Sequence, residues 1–157
     1  MKTKTNVMRI LDAAKIAYQP LEYEVDENNL AGTHIADQIG LPYEKVFKTL
    51  VARGDKTGVV VFCIPSDLEI DLKKAARATG NKRIEMIHVK DLLGLTGYIR
   101  GGCSPIGMKK KFPTFLSHMA EQQPEITVSA GVRGVQLLLR TNDLIAFIGA
   151  KCADITL

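Results

Sequence analysis

The residues best placed to do chemistry are Gly101-Gly102-Cys103-Ser104-Pro105-Ile106-Gly107, followed at once by Met108-Lys109-Lys110-Lys111. Glycine admits positive φ and lets a ligand come close to main-chain N–H groups. Proline holds one φ fixed and gives the loop a set shape. Backbone donors in such a loop suit an anionic or carbonyl-bearing ligand, and the lysines add positive charge beside it. The same composition also builds a tight turn between strands with solvated lysines, and the loop taken alone leans towards that turn.

Lys48 is the second residue that asks for an explanation. It lies in Val46-Phe47-Lys48-Thr49-Leu50-Val51, a stretch of β-branched and aromatic character. With Phe47 and Thr49 on one face, Lys48 shares the other with Val46 and Leu50. An ammonium among apolar neighbours is costly unless it reaches an anion or water. A snorkelling lysine on an open sheet face and a ligand-binding lysine fit the pattern equally.

The three cysteines, Cys63, Cys103 and Cys152, have no CxxC spacing. Cys63 and Cys152 fall in apolar segments and read as reduced core thiols of a cytosolic protein. Cys103 stands apart because it sits in the glycine loop. A nucleophilic Cys wants a histidine base, and His34, His88 and His118 fall in no catalytic signature. No ligand spacing for a metal is present, so no metal and no cofactor are expected.

Composition narrows the class. The 157 residues fit one domain, 1–157, with 46% hydrophobic and 24% charged residues. A net charge of +4 permits an acidic partner such as RNA. With no Trp and few aromatics, a broad base-stacking platform is not expected. No apolar run approaches the roughly 18 residues that span a bilayer, and the N-terminus leads into an amphipathic pattern instead of a signal h-region. The expectation is a cytoplasmic protein without a membrane partner.

The elements that must position these residues alternate along the chain. Asn6 is placed to cap a helix to about Ala17. An extended piece follows from Leu21 to Val25, carrying Tyr23. Thr33 is placed to cap a helix from His34 to Ile39, stopped by Gly40. Val46 to Ala52 and Val59 to Ile64 read as strands joined by a Gly54–Gly58 hairpin loop, the second buried on both faces. Asp71 caps a helix to Thr79. Arg83 to Ile87 is a short strand and Lys90 to Leu95 a helical turn or two. Phe115-Leu116, Ile126 to Val128 and Val135 to Leu139 are extended. Thr141 caps a last helix through Ile148, and Cys152 to Thr156 adds an edge strand. Short turns joining strands, with helices between others, predict an α+β domain with a mixed, largely antiparallel sheet flanked by helices.

Four ordered blocks resemble the YbaK/EbsC family of aminoacyl-tRNA deacylases, relatives of the editing domain in bacterial prolyl-tRNA synthetases. They are Phe47-Lys48-Thr49-Leu50, Asp71-Leu72-Lys73-Lys74-Ala75-Ala76, Thr96 through Gly107, and Val128-Ser129-Ala130-Gly131-Val132-Arg133-Gly134. The resemblance runs over nearly the whole chain and implies a barrel-like sheet with a cleft. It implies cleavage of the ester between an amino acid and the 3′ end of tRNA, typically cysteine mischarged onto proline tRNA. It carries catalytic roles to Lys48, Gly101 and Gly102, and substrate binding to Tyr23, Ser104, Pro105, Ser129 and Gly131. Better-known members have an aliphatic residue at Cys103 and often an acidic one at Gln136.

That chemistry suits these residues. Backbone N–H groups near Gly101-Gly102 would face a developing oxyanion. Lys48 would hold a phosphate or the ester oxygen. For a cysteinyl ester the family implies attack by the substrate's own thiol, a proximity mechanism that needs no triad or metal. The implied partners are the acceptor end of mischarged tRNA, met in part by the lysines at 109–111, and prolyl-tRNA synthetase as a candidate for delivery. A non-catalytic tRNA 3′-end or nucleotide-binding module, an interaction protein, and an editing enzyme for alanine remain as alternatives.

Overall fold

The β-branched runs at 46–52 and 58–65 form the central hairpin around which the other elements pack. The structure is a computed structural model that describes residues 4–157. The sequence reading of the N-terminus falls partly on residues 1–3, outside them. In chain order the elements are α1 (Asn6–Ala13), β1 (Tyr18–Glu22), α2 (Gly32–Ile39), β2 (Phe47–Gly54), β3 (Gly58–Pro65), α3 (Leu72–Thr79), β4 (Ile84–Met86), α4 (Val89–Thr96), β5 (Thr114–Ser117), β6 (Glu125–Ser129), β7 (Val135–Arg140), α5 (Thr141–Ile148) and β8 (Lys151–Ala153).

The strands form two sheets, ordered β4-β2-β3-β5-β8 and β1-β7-β6. All pairings are antiparallel except β3 with β5 and β5 with β8. The expected mixed, largely antiparallel α+β architecture is therefore present. The sheet curls but does not close into a barrel. A single parallel bridge, Val46 to Thr127, ties the two sheets where β2 begins.

Strand β3 explains the stability of this arrangement. Its odd positions Val59, Val61 and Cys63 join Phe47 and Val51 in a core with Val7, Met8 and Leu11 of α1 and Leu137 and Leu139 of β7. Its even positions Val60, Phe62 and Ile64 pack with Ala75 and Ala76 of α3. Both faces are buried, as the unbroken apolar run predicts. Each fully buried Val, Ile or Phe contributes about 1.5–3 kcal/mol. Asp71 caps α3 as expected, accepting from the N–H groups of Lys73 and Lys74.

Local signals misplace several boundaries. Thr5, not Asn6, caps α1 through its hydroxyl, and the helix stops at Ala13. Lys15, the one described non-glycine residue with positive φ (60°), turns the chain so that Tyr18 pairs with Leu139. Pairing with β7 thus shifts the strand expected at 21–25 back to Tyr18–Glu22. Ala31 occupies the N-cap of α2 without a side-chain bond, and Thr33 lies inside the helix. Thr141 is the first residue of α5, not its cap, and its hydroxyl donates to Gln123 O at 2.6 Å. The C-terminal edge strand spans only Lys151–Ala153, with Cys152 half-buried rather than in the core.

Candidate active site

Helix α4 delivers the chain to the glycine loop through Gly97, in the left-handed conformation. Tyr98 is buried and its hydroxyl donates across the loop to Ile106 O. Ser104, fully buried, accepts from the Ile106 N–H at 3.2 Å. The loop is thus tied to itself, and residues 102–106 are all buried.

Its exposed end is a tight turn. The Gly102 N–H donates to Ile99 O at 3.0 Å, and Gly101 has φ +85° while Arg100 has negative φ. Positive φ at the third residue alone defines a type II turn. A Cβ on Gly102 would stand 3.0–3.2 Å from backbone atoms of Val132 and Arg133, so this glycine permits a close approach of the 129–134 turn. That turn is shaped by Ser129, whose hydroxyl accepts from the Gly131 N–H at 3.1 Å. The Arg133 Nε–H donates to Arg100 O at 2.8 Å and fastens the two turns together.

A cavity of about 450 Å³ opens beside them. Gly101, Arg100 and Cys103 supply one wall, Ser129 and Gln136 another, and Val46 to Leu50 of β2 a third. Residues 30–33, leading into α2, and Ser66, Asp67 and Glu69 after β3 complete it. The N-terminus of α2 has no side-chain cap and borders this space, which adds positive potential to that of Lys48. Lys48 is half-buried, and its Nζ lies 3.7 Å from Glu69 Oε1.

Cys103 and Cys63 carry neutral thiols. Burial pushes both up to about 12, opposed by hydroxyl contacts from Thr96 at Cys103 and Thr49 at Cys63. No histidine lines the cavity. Gln136, only 4% exposed, accepts the Thr127 hydroxyl at 3.0 Å through its carboxamide oxygen. Its nitrogen makes no hydrogen bond among the described residues.

The sequence-predicted residues therefore separate. Lys48, Gly101 and Ser129 meet around one cavity. Gly102 adjoins it with its N–H already used. Ser104 is enclosed in the loop. Pro105 lines a different, largely apolar cavity of about 230 Å³ with Ile10, Phe112 and Phe147. Gly131 lines a third, of about 370 Å³, with Asn6 and Lys109. Tyr23 follows β1, half-buried, and its backbone N–H donates to Gly134 O at 2.9 Å. Sequence reasoning missed Thr49, Asp67, Glu69 and Arg100. Thr49 was visible as the neighbour of Lys48, whereas Asp67 and Glu69 reach the cavity only because β3 ends beside the start of β2.

A model of the aminoacyl-tRNA editing domain matches residues 31–147, which include every wall of this cavity but the edge at Leu30. The chain belongs to the aminoacyl-tRNA editing family. Aminoacyl-tRNA deacylation is the activity that family membership brings. EbsC of Enterococcus faecalis (strain ATCC 700802 / V583), provisionally named a Cys-tRNA(Pro)/Cys-tRNA(Cys) deacylase, is 48% identical over 153 residues, 98% of this chain and 93% of its own. YwhH of Bacillus subtilis (strain 168), an uncharacterized protein, is 24% identical over 82% of this chain and 81% of its own. Among solved structures, the hypothetical protein APE2540 superposes with a TM-score of 0.87 at 18% identity, over 98% of this chain and 100% of that one. These likenesses support the editing-domain fold, with its cleft, that the four sequence blocks imply. Among the described residues no helix is long and apolar enough to cross a membrane.

Proposed function

We propose that this protein removes cysteine from mischarged Cys-tRNA(Pro) in trans. The observation that carries the reading is the meeting of Lys48, the Gly101 turn and Ser129 around one cavity, in a chain 48% identical to a relative named for that substrate. An aminoacyl ester is already activated, so positioning supplies most of the catalysis. Lys48 holds the ester oxygen or the phosphate of the terminal nucleotide by a charge-assisted hydrogen bond. Its pairing with an exposed carboxylate is weak enough to exchange for substrate. The Gly101 N–H, free of the turn's own hydrogen bond, is the backbone donor offered to the oxygen that becomes negative.

The nucleophile is the substrate's sulfur. It attacks the carbonyl carbon, an S–C bond forms, and the ester C–O bond breaks. The thiol proton ends on the departing tRNA hydroxyl, and the amino acid leaves as a four-membered thiolactone that water then opens. Cys103, neutral and enclosed, takes no covalent part. Acceptor-stem phosphates meet Lys109, Lys110 and Lys111, and prolyl-tRNA synthetase delivers the tRNA in the cytoplasm.

The deciding experiment is a hydrolysis screen of Cys-, Ala- and Ser-charged proline tRNA with the purified chain. Preferential release of cysteine supports the reading. Preferential release of alanine moves the assignment to alanine editing, and no release of any of them sinks it.

A further inference from the structure

We propose that Arg133 is a positioning residue for this reaction, acting through the Arg100–Gly101 peptide; the inference rests on the deacylase reading above. The Arg133 Nε–H donates to the Arg100 carbonyl at 2.8 Å. That carbonyl and the Gly101 N–H belong to the same peptide unit and point from its opposite edges. The Gly101 N–H has no hydrogen-bond partner among the described residues, and Gly101 lines the cavity. A cationic donor on the carbonyl draws electron density through the peptide and makes the N–H a stronger donor. Such cooperative strengthening is about 10–30% per bond.

The guanidinium is well suited to this. Among the described residues it has no carboxylate partner, so its charge is not already neutralised. It also lies against the turn it braces, since a Cβ on Gly101 would stand 3.3 Å from Arg133 Nε. Backbone contact between Gly102 and Val132-Arg133 prevents the two turns from shifting independently. A type II turn differs from a type I turn by a flip of its central peptide, which would reverse the directions of the N–H and the carbonyl. Arg133 holds the carbonyl and so blocks that flip.

The test uses the full chain labelled with ¹⁵N, as wild type, Arg133→Ala and Arg133→Lys. In both variants the Gly101 amide proton moves upfield while amides of the β2–β3 hairpin stay in place. With Cys-tRNA(Pro), kcat falls about 10- to 100-fold while KM changes less than about two-fold. Added guanidinium ion restores part of the lost kcat to Arg133→Ala. If Arg133→Ala fails to fold, Arg133→Lys, which keeps the charge but loses the planar Nε–H, carries the same readouts. An unmoved Gly101 amide overturns the proposal, as does a raised KM at constant kcat, which would make Arg133 a tRNA contact. If the wild type cleaves no charged tRNA, the deacylase reading fails, and the amide shift still decides whether Arg133 acts on this peptide.

Discussion

Lys48 Nζ stands 3.7 Å from Glu69 Oε1, and the glutamate side chain is 76% exposed. The partner is a solvated carboxylate at the end of the distance range for an ion pair, so it contributes little to stability. It keeps the ammonium at the cavity without locking it there. Lys48→Ala is expected to lower deacylation by about 10²- to 10³-fold with the fold unchanged. Glu69→Gln is expected to leave activity within a few-fold. Single-turnover assays with circular dichroism on each variant check both, and near-full activity in Lys48→Ala removes the lysine from the mechanism.

The legibility of this pair shows what sequence can and cannot carry. Lys48 stands out because alternation on β2 puts it among apolar neighbours. Glu69 does not, because nothing local says that the segment after β3 folds back over the start of β2; that follows from the hairpin register, Phe47 to Pro65. The glycine loop is legible as a turn, but which N–H is free depends on Ile99 O and on Arg133, brought in from 33 residues away. Caps fail for a similar reason. Thr5 and Asn6 are both good caps by type, and tertiary placement of Val7 and Met8 in the core chooses between them. The four blocks that resemble the editing family reach further than local pattern, since they span walls of the cavity that only the fold brings together.

Gln136 is expected to matter through its oxygen. It is the acceptor for the buried Thr127 hydroxyl. Gln136→Leu leaves that hydroxyl without its partner and is expected to cost about 1–3 kcal/mol of stability. Gln136→Glu retains an acceptor and is expected to fold with a smaller loss. Chemical denaturation of the three proteins tests this; equal stability of Leu and Gln would mean that Thr127 finds another acceptor.

Cys103 is expected to be dispensable and slow to react. Its thiol, pushed up to about 12 by burial, stays neutral across the physiological range. Cys103→Ala should keep most activity, and iodoacetamide should modify the half-buried Cys152 before Cys103. The sign for stability follows from the same shift. A thiol raised from 9.0 in the unfolded chain to about 12 stabilises the fold fully below pH 9, and this is lost as pH rises through 12. Alkaline unfolding should therefore be less steep in Cys103→Ala. A covalent aminoacyl adduct trapped on Cys103 would contradict the assignment.

Binding of tRNA by the chain alone is expected to be weak and salt-sensitive. The net charge is +4, so few phosphates are neutralised together. Each neutralised phosphate contributes about −0.9 to the slope of log K against log salt. A shallow slope, weakened further in a Lys109, Lys110, Lys111 triple alanine variant, is the expected outcome of a salt titration. Tight binding at physiological salt that ignores the triple substitution would place the tRNA elsewhere.

The substrate's side chain gives the sharpest test of the chemistry. No histidine lines the cavity and its cysteine is neutral, so no protein nucleophile is ready at neutral pH. A cysteinyl ester brings its own, with an ordinary thiol pKa of about 8.5, whereas the seryl ester has the same shape and a hydroxyl that does not ionise in this range. Cysteinyl-tRNA should be cleaved much faster than seryl-tRNA, and its rate should rise with pH towards the substrate thiol's pKa, since the thiolate is the attacking form. Rapid quench with mass analysis should catch the thiolactone before water opens it. With direct attack by water no cyclic species forms, and serine and cysteine esters react at similar rates. That result would transfer the nucleophile to an enzyme-held water, with Lys48 and the Gly101 N–H still in contact with the ester, and it would leave the deacylase assignment standing.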